Sequence, residues 1–292
     1  AGLMTHKHDL YGTGFAGGKI VARAQEPAAV KDELISVTAG LLESLDGSMI
    51  TGCDLNTSLE DMERLMSLTP HVLAAVGSPV DASAATAHGT LGAVEAVLSS
   101  DLKDATPGRA LVHGCGAVGG TVAKTLVEEG WTVFTVDLNR ERAGLAGATP
   151  LPPSCPWWEV KVDLMLPCSI SGLINSEIAD GMRTNAVVPA ANAPFQNPQL
   201  ADQLRQRGIP VLPDPLVNAG AVIADSIERF SPQAWKGAGA EDVYAFVRSE
   251  VRRRATEYLS QREQGLSVGD ALTEVAADTA TDPIGLSFKD TP

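Results

Sequence analysis

Ala110-Leu111-Val112-His113-Gly114-Cys115-Gly116-Ala117-Val118-Gly119 is the stretch on which the fold turns. Ala110 to His113 is a short apolar run that reads as a buried strand. Thr121 to Glu129 reads as a helix, and Trp131 to Val136 as a second strand ending at Asp137. Strand, G-x-G-x-x-G, helix, strand and acid in this order are the fingerprint of a dinucleotide-binding βαβ unit. Gly114 permits a tight turn, Gly116 lets the backbone approach a pyrophosphate, and Gly119 lets the helix pack close to the strand. Ala117 and Val118 lie within the same turn, and the helix N-terminus supplies amide donors and positive potential. Asp137 is placed to accept hydrogen bonds from ribose hydroxyls and to repel a 2′-phosphate, which favours NAD over NADP. Arg140 nearby is the residue that would accommodate such a phosphate.

Outward from this unit the α/β rhythm continues. Val160 to Leu166 is a strand candidate interrupted by Asp163. Ala186 to Val188 and Val211-Leu212 are short apolar runs closed by prolines, with a helix read between them at Gln199 to Arg207. Repeated strand–helix alternation argues a parallel, doubly wound sheet of the Rossmann type. Upstream, Thr57 to Glu60 reads as a capping box ahead of a helix with Leu59, Met62, Leu65 and Met66 on one face. Ala84 to Leu98 reads as a helix long enough to bridge two domains, and Asp101 to Gly108 as a polar turn into the first strand. From about Val222 the pattern is helical. Val243, Phe246, Val247, Val251, Ala255 and Leu259 form a core stripe at helical spacing, and Arg252-Arg253-Arg254 reads as a solvated or ion-paired face.

The 292 residues suggest about two domains, at roughly 100–200 residues each. The formal net charge of −14 argues against nucleic-acid or anionic-membrane partners. No run of about 18 apolar residues occurs, and the N-terminus lacks the layout of a secretory signal. Cys53, Cys115, Cys155 and Cys168 form no CxxC pair, so neither a zinc site nor a disulfide framework is indicated, and a reducing cytoplasm is the expected home. His6 and His8, two apart, do not share a helix face, and no metal is expected.

A second signal lies ahead of the glycine turn: Met4-Thr5-His6-Lys7, Ala16-Gly17-Gly18-Lys19, and Ile50-Thr51-Gly52-Cys53-Asp54. From spacing alone these are either surface charge or chemistry. Together with Ser83-Ala84-Ala85-Thr86-Ala87-His88-Gly89, Leu166-Pro167-Cys168, Ala190-Ala191-Asn192 and Asp214-Pro215-Leu216-Val217-Asn218-Ala219-Gly220, they resemble the glutamate/leucine/phenylalanine/valine dehydrogenases, above all the leucine/phenylalanine/tryptophan branch. The resemblance runs from Met4 to about Ala271. It implies NAD-dependent, reversible oxidative deamination of an apolar or aromatic L-amino acid to a 2-oxo acid and ammonia, by a homo-oligomer. Lys7 matches the lysine that anchors the substrate carboxylate, Lys19 the catalytic lysine, and Asp54 the carboxylate that moves protons to and from the amine. Thr86 matches the threonine that holds the nicotinamide carboxamide. Cys168, Ala190 and Asn192 lie in the two loops beside the cofactor, and Asn218 positions substrate or nicotinamide. Burial is expected to lower the pKa of Lys19.

The resemblance also implies a layout. Residues 1–85 form a substrate domain, α/β and N-terminally shortened; 86–222 form the Rossmann domain; 223–292 are helices returning to the substrate domain. Family members carry a longer segment ahead of the first lysine motif, with strands, part of the subunit interface and a glycine pair that contacts the carboxylate. Asn192-Ala193-Pro194 departs from the branch, which often has a second asparagine there. Asp225 aligns with an apolar residue of the side-chain pocket, or else, one turn out of register, faces solvent or caps a helix. An acid in the pocket disfavours a purely aliphatic side chain, and Gly52 leaves room for a bulky one. The shortened start also keeps a different class open, a non-catalytic NAD-binding sensor or interaction protein. A hydroxy-acid dehydrogenase would usually offer a histidine after the nucleotide unit, and none follows His113.

Overall fold

The computed structural model describes residues 1–54, 56–100, 107–277 and 282–288. Four helices precede the sheet: α1 (Gly2–Tyr11), α2 (Lys31–Ser44), α3 (Leu59–Met66) and α4 (Ala82–Ser100). The sheet region runs β1 (Arg109–His113), α5 (Ala117–Glu128), β2 (Thr132–Val136), α6 (Arg140–Ala143), β3 (Thr149–Pro150), β4 (Val162–Pro167), α7 (Ser176–Gly181), β5 (Thr184–Val187) and α8 (Pro198–Gln206). Among the described residues five α-helices follow, α9 (Asp214–Val217), α10 (Gly220–Phe230), α11 (Pro232–Gly237), α12 (Ala240–Glu263) and α13 (Val268–Ala277), and then a short 3-10 turn at Ile284–Ser287.

The five strands pair in parallel in the order β3-β2-β1-β4-β5, the doubly wound Rossmann arrangement. The strands are apolar on both faces because helices cover both. Ala110, Val112, Leu164, Leu166 and Ala186 point into one core with α4, α5 and α12. Their neighbours Leu111, Met165 and Val187 point the other way, into a second core with Trp157 and helices α7 and α8. Asp163, which interrupts the apolar run of β4, ties strand ends together: its carboxylate accepts from the Arg109 amide at 2.8 Å and the Asn185 side-chain amide at 2.9 Å. Val211 adds one parallel bridge to Val187.

Helix α12 lies along α4 with the expected stripe inward; Val243, Val247, Val251, Ala255 and Leu259 are buried. Phe246 packs edge-on against Phe288. Arg248 joins Glu95 of α4 and Glu129 after α5, at 2.6 and 2.9 Å. Of the arginine triplet, Arg252 and Arg253 are ion-paired at the surface. Arg254 is ion-paired as well, with Glu257 at 3.7 Å, but away from the surface: it is 2% exposed and donates to the Val275 carbonyl at 2.6 Å, pinning α13.

Before α4, the strand content among the described residues is a single bridge, Thr51 to Val72. Residues 101–106 of the expected polar turn lie outside the described residues. The capping box is one residue later than the sequence suggests. Ser58, not Thr57, caps α3: its hydroxyl accepts from the Asp61 amide, and Asp61 accepts from the Ser58 amide at 2.8 Å. Thr57 is engaged instead with Asp54, donating to its carbonyl at 2.7 Å and accepting from its amide at 2.8 Å. Leu59 and Met66 are exposed, and only Met62 and Leu65 of the expected face are buried. Ser58→Ala is expected to lower stability by about 1 kcal/mol in denaturant unfolding, whereas Glu60→Ala, which removes the acid of the other register, leaves it within about 0.5 kcal/mol.

Candidate active site

The glycine turn stands at the carboxyl end of β1, where open α/β sheets bind ligands. Gly114 has φ +94°, and a Cβ there would stand 2.7 Å from the backbone of Ser169 after β4. Gly119 packs so tightly on the Gly114 carbonyl that a Cβ would fall 1.9 Å from it, and 2.8 Å from the Cβ of Cys168. The turn is therefore closed on its strand side. It is open on the other: nothing lies within 4 Å of where a side chain at Gly116 would begin, and Gly116 is the N-cap of α5. Ala117 and Val118 form the first turn of that helix. Asp137 closes the end of β2, accepting from the Cys115 amide at 2.7 Å and from the Asn139 amide at 2.8 Å. Asp137 thus fixes the turn's shape as well as lending it charge.

Asn218, in the turn between α9 and α10, is 4% exposed. Its side-chain amide donates to the Ala190 carbonyl at 2.9 Å and to Asn192 Oδ1 at 3.0 Å. Its backbone carbonyl accepts from Lys7 Nζ at 3.2 Å. Its own Oδ1 is buried without a hydrogen-bond partner among the described residues. Two residues on, Gly220 packs against α4: a Cβ there would stand 2.1 Å from the Ala85 carbonyl and 2.7 Å from Thr86 Cα. Thr86 is thereby set over the start of α10, its hydroxyl donating to the Ala82 carbonyl. An open glycine turn and a buried acceptor lacking a donor are what a dinucleotide with a carboxamide would complete. The residues fit such a group.

Lys7, on α1, is brought to Asn218 across 211 residues of chain. Burial lowers its ammonium to about 8; Asp214 opposes the shift and Lys19 adds to it. Asp214, which the sequence reading gave no role, is held above its ordinary range by burial, and accepts from the Ala193 amide at 3.0 Å. That bond holds Ala193 at φ +42°, a left-handed conformation costing roughly 1 kcal/mol for a residue with a Cβ.

Lys19 and Asp54 form an ion pair, their side chains 50% and 45% exposed. The expected burial of Lys19 is not found; desolvation falls on Lys7 instead, because Lys19 follows Gly17-Gly18 in an open segment while Lys7 lies on a packed helix. The pair stands at the rim of a cavity of about 340 Å³ between α2, α3 and α10. Lys31 and Asp61 form a second pair in its wall at 2.8 Å. The room expected at Gly52 is already filled: a Cβ there would lie 2.3 Å from the Leu73 carbonyl, so the missing side chain serves the Thr51–Val72 bridge. Gly52 still lines the cavity by its backbone. Asp225, which is part-buried, also lines it; burial and the nearby Glu228 push its carboxyl up to about 7. Among the described residues no group of three His, Cys, Asp or Glu side chains is placed to hold a metal, and no helix is long and apolar enough to cross a membrane.

Residues 139–277 match the family model for glutamate/leucine/phenylalanine/valine dehydrogenase. A phenylalanine dehydrogenase of Bacillus thermotolerans is 29% identical over 233 residues, 75% of this chain and 61% of that protein. A leucine dehydrogenase of Thermoactinomyces intermedius is 30% identical over 230 residues, 75% of this chain and 62% of its own. The chain thus spans about six tenths of the length of these relatives. The crystal structure of L-tryptophan dehydrogenase from Nostoc punctiforme superposes with a TM-score of 0.75 at 25% identity, over 99% of this chain and 81% of that one. Sequence matches, Rossmann fold and motif order together make the chain similar to the glutamate/leucine/phenylalanine/valine dehydrogenases.

Proposed function

We propose that this chain carries the active site of an NAD-dependent L-amino-acid dehydrogenase that deaminates an apolar or aromatic substrate to its 2-oxo acid and ammonia. The observation that carries this reading is a chain of contacts: Lys7 donates to the Asn218 carbonyl, Lys19 is near enough to Lys7 to act on its charge, and Lys19 pairs with Asp54.

When bound, the nicotinamide supplies the acceptor for the hydride that leaves the α-carbon. The Gly114–Gly119 turn and the first amides of α5 hold the pyrophosphate, and Asp137 accepts from the ribose while repelling a 2′-phosphate. Thr86, Asn218, Ala190, Asn192 and Cys168 surround the nicotinamide end. Lys7 Nζ binds the substrate carboxylate as a point charge. Asp54 takes a proton from the α-ammonium, so that the amine is neutral before hydride departs. Water then adds to the imine carbon. Lys19, in its amine form, takes a proton from the water as it adds, Asp54 returns its proton to the departing nitrogen, and the carbinolamine hydroxyl proton passes to Asp54 as the carbonyl forms and ammonia leaves. The division into residues 1–85, 86–222 and 223–292, and self-association, belong to the same proposal.

The direct test is NADH formation at 340 nm across the common L-amino acids. Turnover with a small apolar or aromatic set is expected, with kcat/KM at least tenfold lower for NADP. NAD binding by calorimetry with no amino-acid-dependent turnover would instead favour a sensor. Lys19→Ala and Asp54→Asn are each expected to lower kcat by about 100-fold or more; unchanged rates in both contradict the assignment. Lys7→Ala is expected to raise KM far more than it lowers kcat. In the parent, KM should climb as pH rises through about 8, where Lys7 loses its charge.

The Asp225 carboxyl gives a check independent of turnover. With a folded value of about 7 against roughly 3.9 in a free chain, the folded protein holds a proton that the unfolded chain has released. Its contribution to stability therefore falls as pH rises from about 4 to about 7 and is flat above. Asp225→Asn is expected to match the parent's melting temperature near pH 4 and exceed it by several degrees at pH 8. Equal melting temperatures at both pH values would show the carboxyl to be solvated.

A further inference from the structure

The cavity behind the Lys19–Asp54 pair is apolar over most of its wall, formed by Ile20, Leu34, Ile35, Met49, Met62 and Leu65. Its two ammonium groups are neutralised where they stand, Lys19 by Asp54 and Lys31 by Asp61. Lys31 is further tied to the Asn56 carbonyl at 2.8 Å, and Asp61 to the start of α3. Asp225 is different. It reaches the same cavity from α10, and its only charged influence is the like charge of Glu228, which is itself engaged with the Ala75 amide at 3.1 Å. No hydrogen bond or ion pair to the Asp225 side chain occurs among the described residues. The cavity lining therefore carries one carboxyl group more than it has ammonium partners.

A side chain that fills this cavity covers the part of Asp225 that is still exposed. If it is purely hydrocarbon, the carboxyl is left buried without a donor, and that cost counts against binding. If it bears an N–H, the cost is removed, and sites of this kind discriminate more sharply than apolar pockets do. We propose that Asp225 selects the substrate: the cavity takes an L-amino acid whose side chain has an apolar body and carries an N–H donor, and disfavours the matched side chain that lacks it. This rests on the amino-acid dehydrogenase reading above for the orientation of the ligand. It narrows that reading from apolar or aromatic side chains in general to those with a donor.

The test uses two matched pairs, each differing in the donor: tryptophan against 3-benzothienylalanine, where sulfur replaces the indole N–H, and lysine against norleucine. Dissociation constants are measured by calorimetry with NADH present and again without it. The donor member of at least one pair is expected to bind tenfold or more tightly, and Asp225→Leu is expected to reduce that preference to within twofold. A preference in the first pair assigns a neutral N–H, in the second a cation. Equal affinities in both pairs, a preference that survives Asp225→Leu, or binding of none of the four overturns the inference. Should Asp225→Leu fail to fold, Asp225→Ala carries the same expectation. Turnover is read separately: a donor preference without NADH formation sinks the dehydrogenase reading and leaves Asp225's selectivity standing, whereas NADH formation without a preference does the reverse.

Discussion

Asn218 ties together three pieces of chain that share no secondary structure. Its carbonyl takes the Lys7 ammonium of α1, and its side-chain amide takes the loop after β5 at Ala190 and Asn192. A buried amide that loses a partner costs about 1–3 kcal/mol, so each bond constrains the other two. Lys7 and the loop at Ala190 and Asn192 are thereby held in fixed relation. Tyr11, on the last turn of α1, reinforces the joint by donating to the Leu216 carbonyl at 2.5 Å from a fully buried position. The side-chain oxygen of Asn218 stays buried without a partner among the described residues, so the tie leaves one acceptor unused.

Charge near this junction is distributed with little waste. Asp61 serves three ends: it completes the cap of α3, pairs with Lys31, and so fixes one cavity wall; the Lys31 contact holds its carboxyl below the usual range. Asp137 likewise braces the glycine turn through the Cys115 amide while presenting negative charge to its mouth. In both places the hydrogen bonds that stabilise the fold also orient the groups assigned to function. Substitutions there lose stability and activity together, and kinetics have to be read beside melting curves.

What the sequence made legible was local. The glycine turn announced itself because Gly114 needs a positive φ and Gly119 a contact closer than any Cβ permits, constraints contained within a few residues. The apolar strands announced themselves through burial on both faces. The capping register did not, because Thr57 and Ser58 are both followed three residues later by an acid. Only the competing claim of Asp54 on the Thr57 hydroxyl decides between them. The space at Gly52 is consumed by Leu73, and the role of Asp214 follows from Ala193, 21 residues away. The exposure of Lys19 and burial of Lys7 depend on how an open glycine segment and a packed helix meet a third element. No spacing rule carries these, since each is set by a partner remote in sequence.

Stability is divided unevenly between the two sides of the candidate site. The sheet is sealed between two extensive cores, whereas α2 and α3 rest on a cluster of six buried residues, Ile35, Ala39, Leu42, Met62, Leu65 and Val72, among the described residues. Little apolar area holds that unit, so it is the part that opens at least cost. The Lys19–Asp54 pair lies on its edge and is half exposed, where an ion pair contributes at most about 1 kcal/mol.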